Sequence, residues 1–144
     1  MSINAFTEAL TFAQSGAKFT PDVQSAASGI NADLLKAAVQ AILDGGNDAK
    51  VEGELASTLK AGFEFATKVV KMLQKEPGQT EMLSFYKYFK KAQNEEVKAP
   101  GMLDFVGKAK YNAWKEISHL SDQKAQALYI QEVNAAIEKY GTRD

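Results

Sequence analysis

Lysine and aromatic side chains at the borders of apolar helix faces are the residues in this chain with chemistry to offer. Lys110 is the sharpest case. A helix starting near Gly107 turns about 100° per residue, which sets Ala113, Trp114 and Ile117 on the face of Lys110, three, four and seven residues on. An unpaired ammonium inside an apolar arc is costly, so Lys110 either carries its charge to water along its own stem or meets an anion at the edge of the core. Tyr86 with Lys90, Lys71 beside Thr67, and Tyr129 on the last helix repeat the theme on three further helices. Together they suit a ligand with a stackable ring, several phosphates and an apolar tail: tyrosine stacks or donates, lysine neutralises, and a groove between helices takes the tail. Single-stranded nucleic acid would use the same residue types without needing an apolar groove.

Motifs for catalysis are missing. The single histidine, His119, falls in the turn before the last helix with no partner at metal-ligand spacing, and the absence of cysteine removes thiolate zinc sites, iron–sulfur clusters, disulfides and thiol nucleophiles. No Gly-x-Ser-x-Gly elbow, Gly-x-Gly-x-x-Gly turn or Walker loop occurs. The expectation is a protein that is not an enzyme, with no metal and no resident cofactor. A formal net charge of −1 argues against nucleic acid as partner. Its distribution says more: residues 1–60 hold four lysines against seven acids, net −3, and residues 61–144 hold thirteen basic groups against eleven acids, net +2. An anion site therefore belongs to the second part. Arg143 is the lone arginine, so that site must use lysine point charges, which suit phosphates better than planar carboxylates.

Apolar periodicity supplies the elements that must position these residues. Phe6, Leu10 and Ala13 mark a short helix before Gly16, and residues 17–29 turn polar and read as a loop. Asn31 can cap a second helix carrying Leu34, Leu35, Ala38, Val39 and Ile42 up to Asp44-Gly45-Gly46. Val51, Leu55, Leu59, Phe63, Ala66, Val70 and Leu73 extend one stripe to about Lys75, ahead of Pro77-Gly78. Thr80 is placed to cap the next helix, with Met82, Phe85, Tyr86 and Phe89 on one face. Ser121-Asp122 opens the final helix, which bears Ala125, Tyr129, Val133, Ala136, Ile137 and Tyr140 and stops at Gly141. No segment alternates like a strand, and four amphipathic helices can bury their faces only in a bundle.

Residues 62–141 resemble the acyl-CoA-binding protein family. The likeness rests on Phe63 to Pro77, Glu81-Met82-Leu83, Tyr86 with Lys90-x-Ala92, and above all Pro100-Gly-Met-Leu-Asp-Phe105. It continues through Gly107-Lys-Ala-Lys110, Ala113-Trp114, Ala125, Tyr129-Ile130 and Tyr140-Gly141. The resemblance implies an all-α four-helix bundle of up-down-down-up topology holding long-chain acyl-CoA esters in a bowl. It further implies head-group contacts at Lys71, Tyr86, Phe89, Lys90, Lys110 and Tyr129, with the 3′-phosphate held chiefly by Tyr86, Lys90 and Lys110. Phe63, Met82 and Leu83 would lie near the acyl chain. Phe89 stands where the family usually has tyrosine, Tyr111 replaces a common tryptophan, and Gln93-Asn94-Glu95 replaces a usual Thr-x-Gly in a shortened connection.

The expectation is thus an acyl-CoA-binding domain over 61–144, preceded by an N-terminal extension of two short helices over 1–60. Its function would be that of a non-catalytic cytoplasmic carrier of medium- to long-chain acyl-CoA. The alternative is a helical interaction module that docks a protein partner through residues 1–60, with acyl-CoA as a regulatory ligand. No apolar run reaches the roughly 20 residues of a membrane span, so stable membrane insertion is not expected. The stripe that leads from Val51 into Phe63 implies that the extension packs on the bundle.

Overall fold

The computed structural model describes residues 3–143. It is all-helical: α1 (Asn4–Gln14), α2 (Pro21–Ala27), α3 (Ala32–Asp44), α4 (Gly53–Val69), α5 (Gln79–Ala92), α6 (Phe105–Glu116) and α7 (Asp122–Tyr140), with a 3-10 turn at Val70–Met72 continuing α4.

Local chemistry sets the starts. The side chains of Asn31, Asp104 and Ser121 each accept the backbone N–H three residues on, at 3.0, 2.8 and 3.0 Å, opening α3, α6 and α7. Gly107 is needed for the second of these, because a β-carbon there would run into the Asp104 carboxylate. The Asp104 cap starts α6 two residues before the expected Gly107. Thr80 does not cap α5. Pro77-Gly78 hands the chain into the helix earlier, and the Glu81 carboxylate reaches back to accept the Gly78 N–H at 3.0 Å.

Two other expectations need correction. The extension holds three helices rather than two, since the presumed loop 17–29 contains α2. Pro21 supplies the first helical φ, Asp22 favours the positive end, and Val23 and Ala27 sit one turn apart and are buried, but seven residues are too few for a visible period. Helix α4 also stops short of Lys75. At Leu73 the backbone becomes extended and pairs with Thr142 in an isolated antiparallel bridge, with Gln74 N–H donating to the Gly141 carbonyl (3.0 Å) and Arg143 N–H to that of Met72 (2.7 Å).

Helices α4 and α7 form the centre. Against α4 pack α2, α3 and α7; against α7 pack α1, α3 and α5 as well; α6 rests on α5. One core runs through both parts of the chain, and its largest fully buried side chains are Phe6, Leu10, Leu35, Ile42 and Leu59 from the first 60 residues with Phe65, Val69, Ile130 and Val133. Phe6 meets Phe65 edge-on at 5.6 Å, and the Phe6 N–H donates to Asn134 Oδ1 at 2.8 Å. Gly62 lies directly under Leu35, where a β-carbon would clash. Lys124, itself buried, donates to the carbonyls of Ile42 (3.1 Å), Leu43 (3.4 Å) and Gly45 (3.1 Å), so its charge meets the negative end of α3. Helix α4 runs without a break through residue 60.

Chain ends fix the relative directions. The end of α4 meets the end of α7 through the Leu73–Thr142 bridge, while Tyr140 at the end of α7 donates to Glu81 at the start of α5. At the opposite end, Asn94 after α5 reaches Asp122 at the start of α7 (3.4 Å). Helix α6 contributes no buried residue, which leaves a groove between it and α5.

Candidate functional site

Helical spacing aims the groove residues. On α5, Met82, Tyr86 and Lys90 follow one another a turn apart, with Leu83 beside Met82; on α6, Phe105 and Val106 precede Ala109 and Lys110 by one turn. These two rows line two adjoining cavities. One, of about 420 Å³, is polar, with Tyr86, Lys90, Lys98, Asp104 and Lys110 in its wall together with Glu96 and the 97–100 connection. The other, of about 560 Å³, is mainly apolar and is lined by Pro77, Met82, Leu83, Phe105, Val106 and Ala109, with Gln79. Tyr86 and Lys110 belong to both.

Tyr86 lies between two ammonium groups. Lys110 Nζ stands 5.1 Å and Lys90 Nζ 5.9 Å from its ring centroid, within range of cation–π attraction. Lys110 is solvent-exposed and takes no part in the ion pairs found among the described residues, Lys90–Glu95 and Lys139–Glu81. Of the two routes open to Lys110, its stem leads the charge out to the cavity. Lys90 is paired with Glu95 at 3.0 Å. The backbone explains why: Asn94 adopts φ 56°, and the N–H groups of Glu95 and Asn94 bond the carbonyls of Lys90 (2.9 Å) and Lys91 (2.9 Å), a Schellman turn that folds Glu95 back over the last turn of α5. Glu95 therefore stands as an internal competitor for any anion approaching Lys90. Asp104 is engaged in capping α6. The arrangement can bind an anionic group against an aromatic ring, with an apolar trough beginning at the same two residues.

The expected site residues fall into three groups. Tyr86, Lys90 and Lys110 come together at the polar cavity, and Met82 and Leu83 line the apolar one. Phe63, Phe89 and Tyr129 line neither cavity and form an aromatic cluster instead. Phe63 lies 5.1 Å from Tyr129 and 6.1 Å from Phe89, and Phe85 joins through Tyr129 at 5.7 Å. Burial drives the Tyr129 phenol well above its ordinary pKa, so it stays neutral. Lys71 is exposed on the 3-10 turn and lines neither cavity, its carbonyl accepting from Arg143 at 2.6 Å. Phe105, Val106, Ala109 and Lys98 line the cavities without having been singled out as contacts. Phe105 and Ala109 are one turn apart, a signal hidden by placing the start of α6 at Gly107. Among the described residues no cluster of metal-ligating side chains occurs, and no helix is long and apolar enough to cross a membrane.

Comparison with known proteins bears on the same stretch. The sequence model of the family described as acyl CoA binding protein matches residues 60–133. The chain is also 38% identical over 81 residues to the acyl-CoA-binding protein homolog 1 of Caenorhabditis elegans, an alignment that spans 55% of this chain and 94% of the nematode protein. Groove, cavities and paired lysines all lie inside or beside the matched residues, and the chain belongs to the acyl-CoA-binding protein family.

Proposed function

We propose that this chain is a non-catalytic cytoplasmic carrier of medium- to long-chain acyl-CoA esters, which it binds in the groove between α5 and α6. The observation that carries this reading is the sharing of Tyr86 and Lys110 by a polar and an apolar cavity, because an acyl-CoA is itself a phosphorylated, aromatic head joined to an apolar tail. In this reading Tyr86, Lys90 and Lys110 hold the 3′-phosphate, and the tail lies along Met82, Leu83, Phe105 and Val106. The cluster of Phe63, Phe89 and Tyr129 seats α5, and Lys71 is assigned to the remaining phosphates. The contacts between helix ends set α4 and α7 in one direction and α5 in the other, as an up-down-down-up arrangement of α4 to α7 requires of those three helices. Residues 61–144 supply the ligand contacts and residues 1–60 a buttress. The apolar faces of α1 and α3 are covered by α4 and α7, which favours the buttress over a docking module for another protein.

Titration calorimetry of the full chain with CoA, octanoyl-CoA and dodecanoyl-CoA tests this. Affinity should rise along the series, by at most about 0.8 kcal/mol per methylene buried in the apolar cavity. Equal affinity for CoA and dodecanoyl-CoA would remove the tail from that cavity, and absence of heat with all three would reject the reading.

A further inference from the structure

The two lysines that flank Tyr86 differ in what they already hold. Lys110 enters neither ion pair found among the described residues, whereas Lys90 Nζ lies 3.0 Å from Glu95 Oε2. Glu95 does not line the polar cavity and reaches Lys90 from outside it. The route is the turn that ends α5, where Asn94 adopts φ 56° and the N–H groups of Asn94 and Glu95 return to the carbonyls of Lys91 and Lys90, both at 2.9 Å. Asn94 Nδ2 also reaches Asp122 Oδ2 at 3.4 Å, which ties the turn to the start of α7. Backbone bonds thus fix where Glu95 is rooted, while its partly exposed side chain is left to rotate. A separation of five residues is outside the spacing at which helical side chains meet, so the pair exists only through this turn.

We propose that Glu95 is a specificity-determining residue of the head-group site, a tethered carboxylate that holds Lys90 until a terminal phosphate displaces it. Lys90 then adds affinity only for ligands that carry such a phosphate beside Lys110 and Tyr86. This role rests on the acyl-CoA reading. Charge decides the exchange. A carboxylate brings one negative charge, and from its root beyond α5 Glu95 pairs with Lys90 alone. A phosphomonoester brings roughly −1.5 to −2 near pH 7 and three acceptor oxygens, enough to meet two ammonium groups together. Lys90 and Lys110 are placed for that, since both line the polar cavity and stand 5.9 and 5.1 Å from the centroid of the same Tyr86 ring. The terminal phosphate therefore wins Lys90 by recruiting Lys110 as well. A singly charged group, or one that reaches Lys110 alone, offers Lys90 nothing that Glu95 does not already supply. Displacement has a cost even for the winner, because the ion pair is lost and the freed carboxylate remains near the incoming charge. Both side chains of the pair are partly exposed, so that cost is on the scale of a surface ion pair.

The test is titration calorimetry of the full chain and its Glu95→Gln variant, each with dodecanoyl-CoA and with the dephospho ester that lacks the 3′-phosphate. Glutamine keeps the side-chain length and the backbone bonds of the turn, and circular dichroism checks that helicity is unchanged. The variant should bind dodecanoyl-CoA about two- to fivefold more tightly than the wild type, the factor that corresponds to a surface ion pair no longer being displaced. The dephospho ester should bind both proteins with the same affinity, since it leaves the Lys90–Glu95 pair in place. Equal affinity of variant and wild type for dodecanoyl-CoA would overturn the assignment. So would an equal gain for both esters, which would make Glu95 one more surface charge repelling any anion. Absence of heat from either ester with both proteins would overturn the acyl-CoA reading itself, and the role of Glu95 with it.

Discussion

Lys110 shows why one residue can be conspicuous in a sequence and still unresolved there. Its place among Ala113, Trp114 and Ile117 marked a charge in the wrong company, but only the neighbouring helix shows that the ammonium emerges over Tyr86, 5.1 Å from the ring centroid. Because Lys110 is exposed, Lys110→Ala should leave folding intact and weaken dodecanoyl-CoA binding by about 1.5–3 kcal/mol, the range for a hydrogen bond to a charged group. Calorimetry with the dephospho ester completes a cycle. If lysine and 3′-phosphate are two halves of one interaction, removing the second after the first should cost little more, whereas additive losses would move Lys110 to another part of the ligand. The i, i+4 spacing of Tyr86 and Lys90 made that pair legible. Glu95 was not legible as a partner of Lys90, because the contact depends on the left-handed turn at Asn94 rather than on helical spacing.

At the scale of elements, caps with a short polar side chain were readable at Asn31 and Ser121, and an amphipathic stripe was readable wherever it ran for three turns or more. Helix α2 escaped because a seven-residue helix shows two buried positions and no period. Tertiary anchors escaped as well, Lys124 above all, whose ammonium closes the end of α3 from 79 to 82 residues away in sequence. Lys124→Met should retain the stem and lose the charge, removing the ammonium from the Leu43 and Gly45 carbonyls and leaving that of Ile42 with the Gly45 N–H alone; urea unfolding should record a stability loss of about 1.5–3 kcal/mol. An unchanged midpoint would show that water or a backbone shift satisfies those carbonyls. Helix α7 also carries a carboxylate at odds with its surroundings. Partial burial raises the pKa of Glu132, with Lys87 opposing and Glu81 adding to the shift. A carboxyl with a raised folded pKa favours folding in its protonated form, so its contribution turns unfavourable as pH rises from the ordinary carboxylate range through the folded value. Glu132→Gln should therefore raise the melting temperature at pH 7, and the gain should vanish below about pH 4, where both states are protonated. A gain that persists in acid would assign the effect to packing.

Taken whole, the molecule is organised by α4 and α7, which serve two clients: α1 to α3 on one side and the α5–α6 pair on the other. Five of the nine largest fully buried side chains, Phe6, Leu10, Leu35, Ile42 and Leu59, come from the first 60 residues, so the groove stands on a scaffold larger than its own bundle. That packing was foreseeable from the stripe entering Phe63; which faces would meet was not, because periodicity defines a face and not its partner. Helix α6 is held least, with no buried residue, and it carries half of the groove. The central claim is that one ligand lies across both cavities, and the most direct measurement is a ¹H–¹⁵N chemical-shift titration of the full chain with dodecanoyl-CoA. The account expects saturable shifts concentrated at Met82, Leu83, Tyr86, Lys90, Phe105, Val106 and Lys110, with the amides of α1 and α2 left in place. Shifts centred on α1 and α2, or confined to the polar cavity while Met82, Phe105 and Val106 stay unmoved, would contradict it.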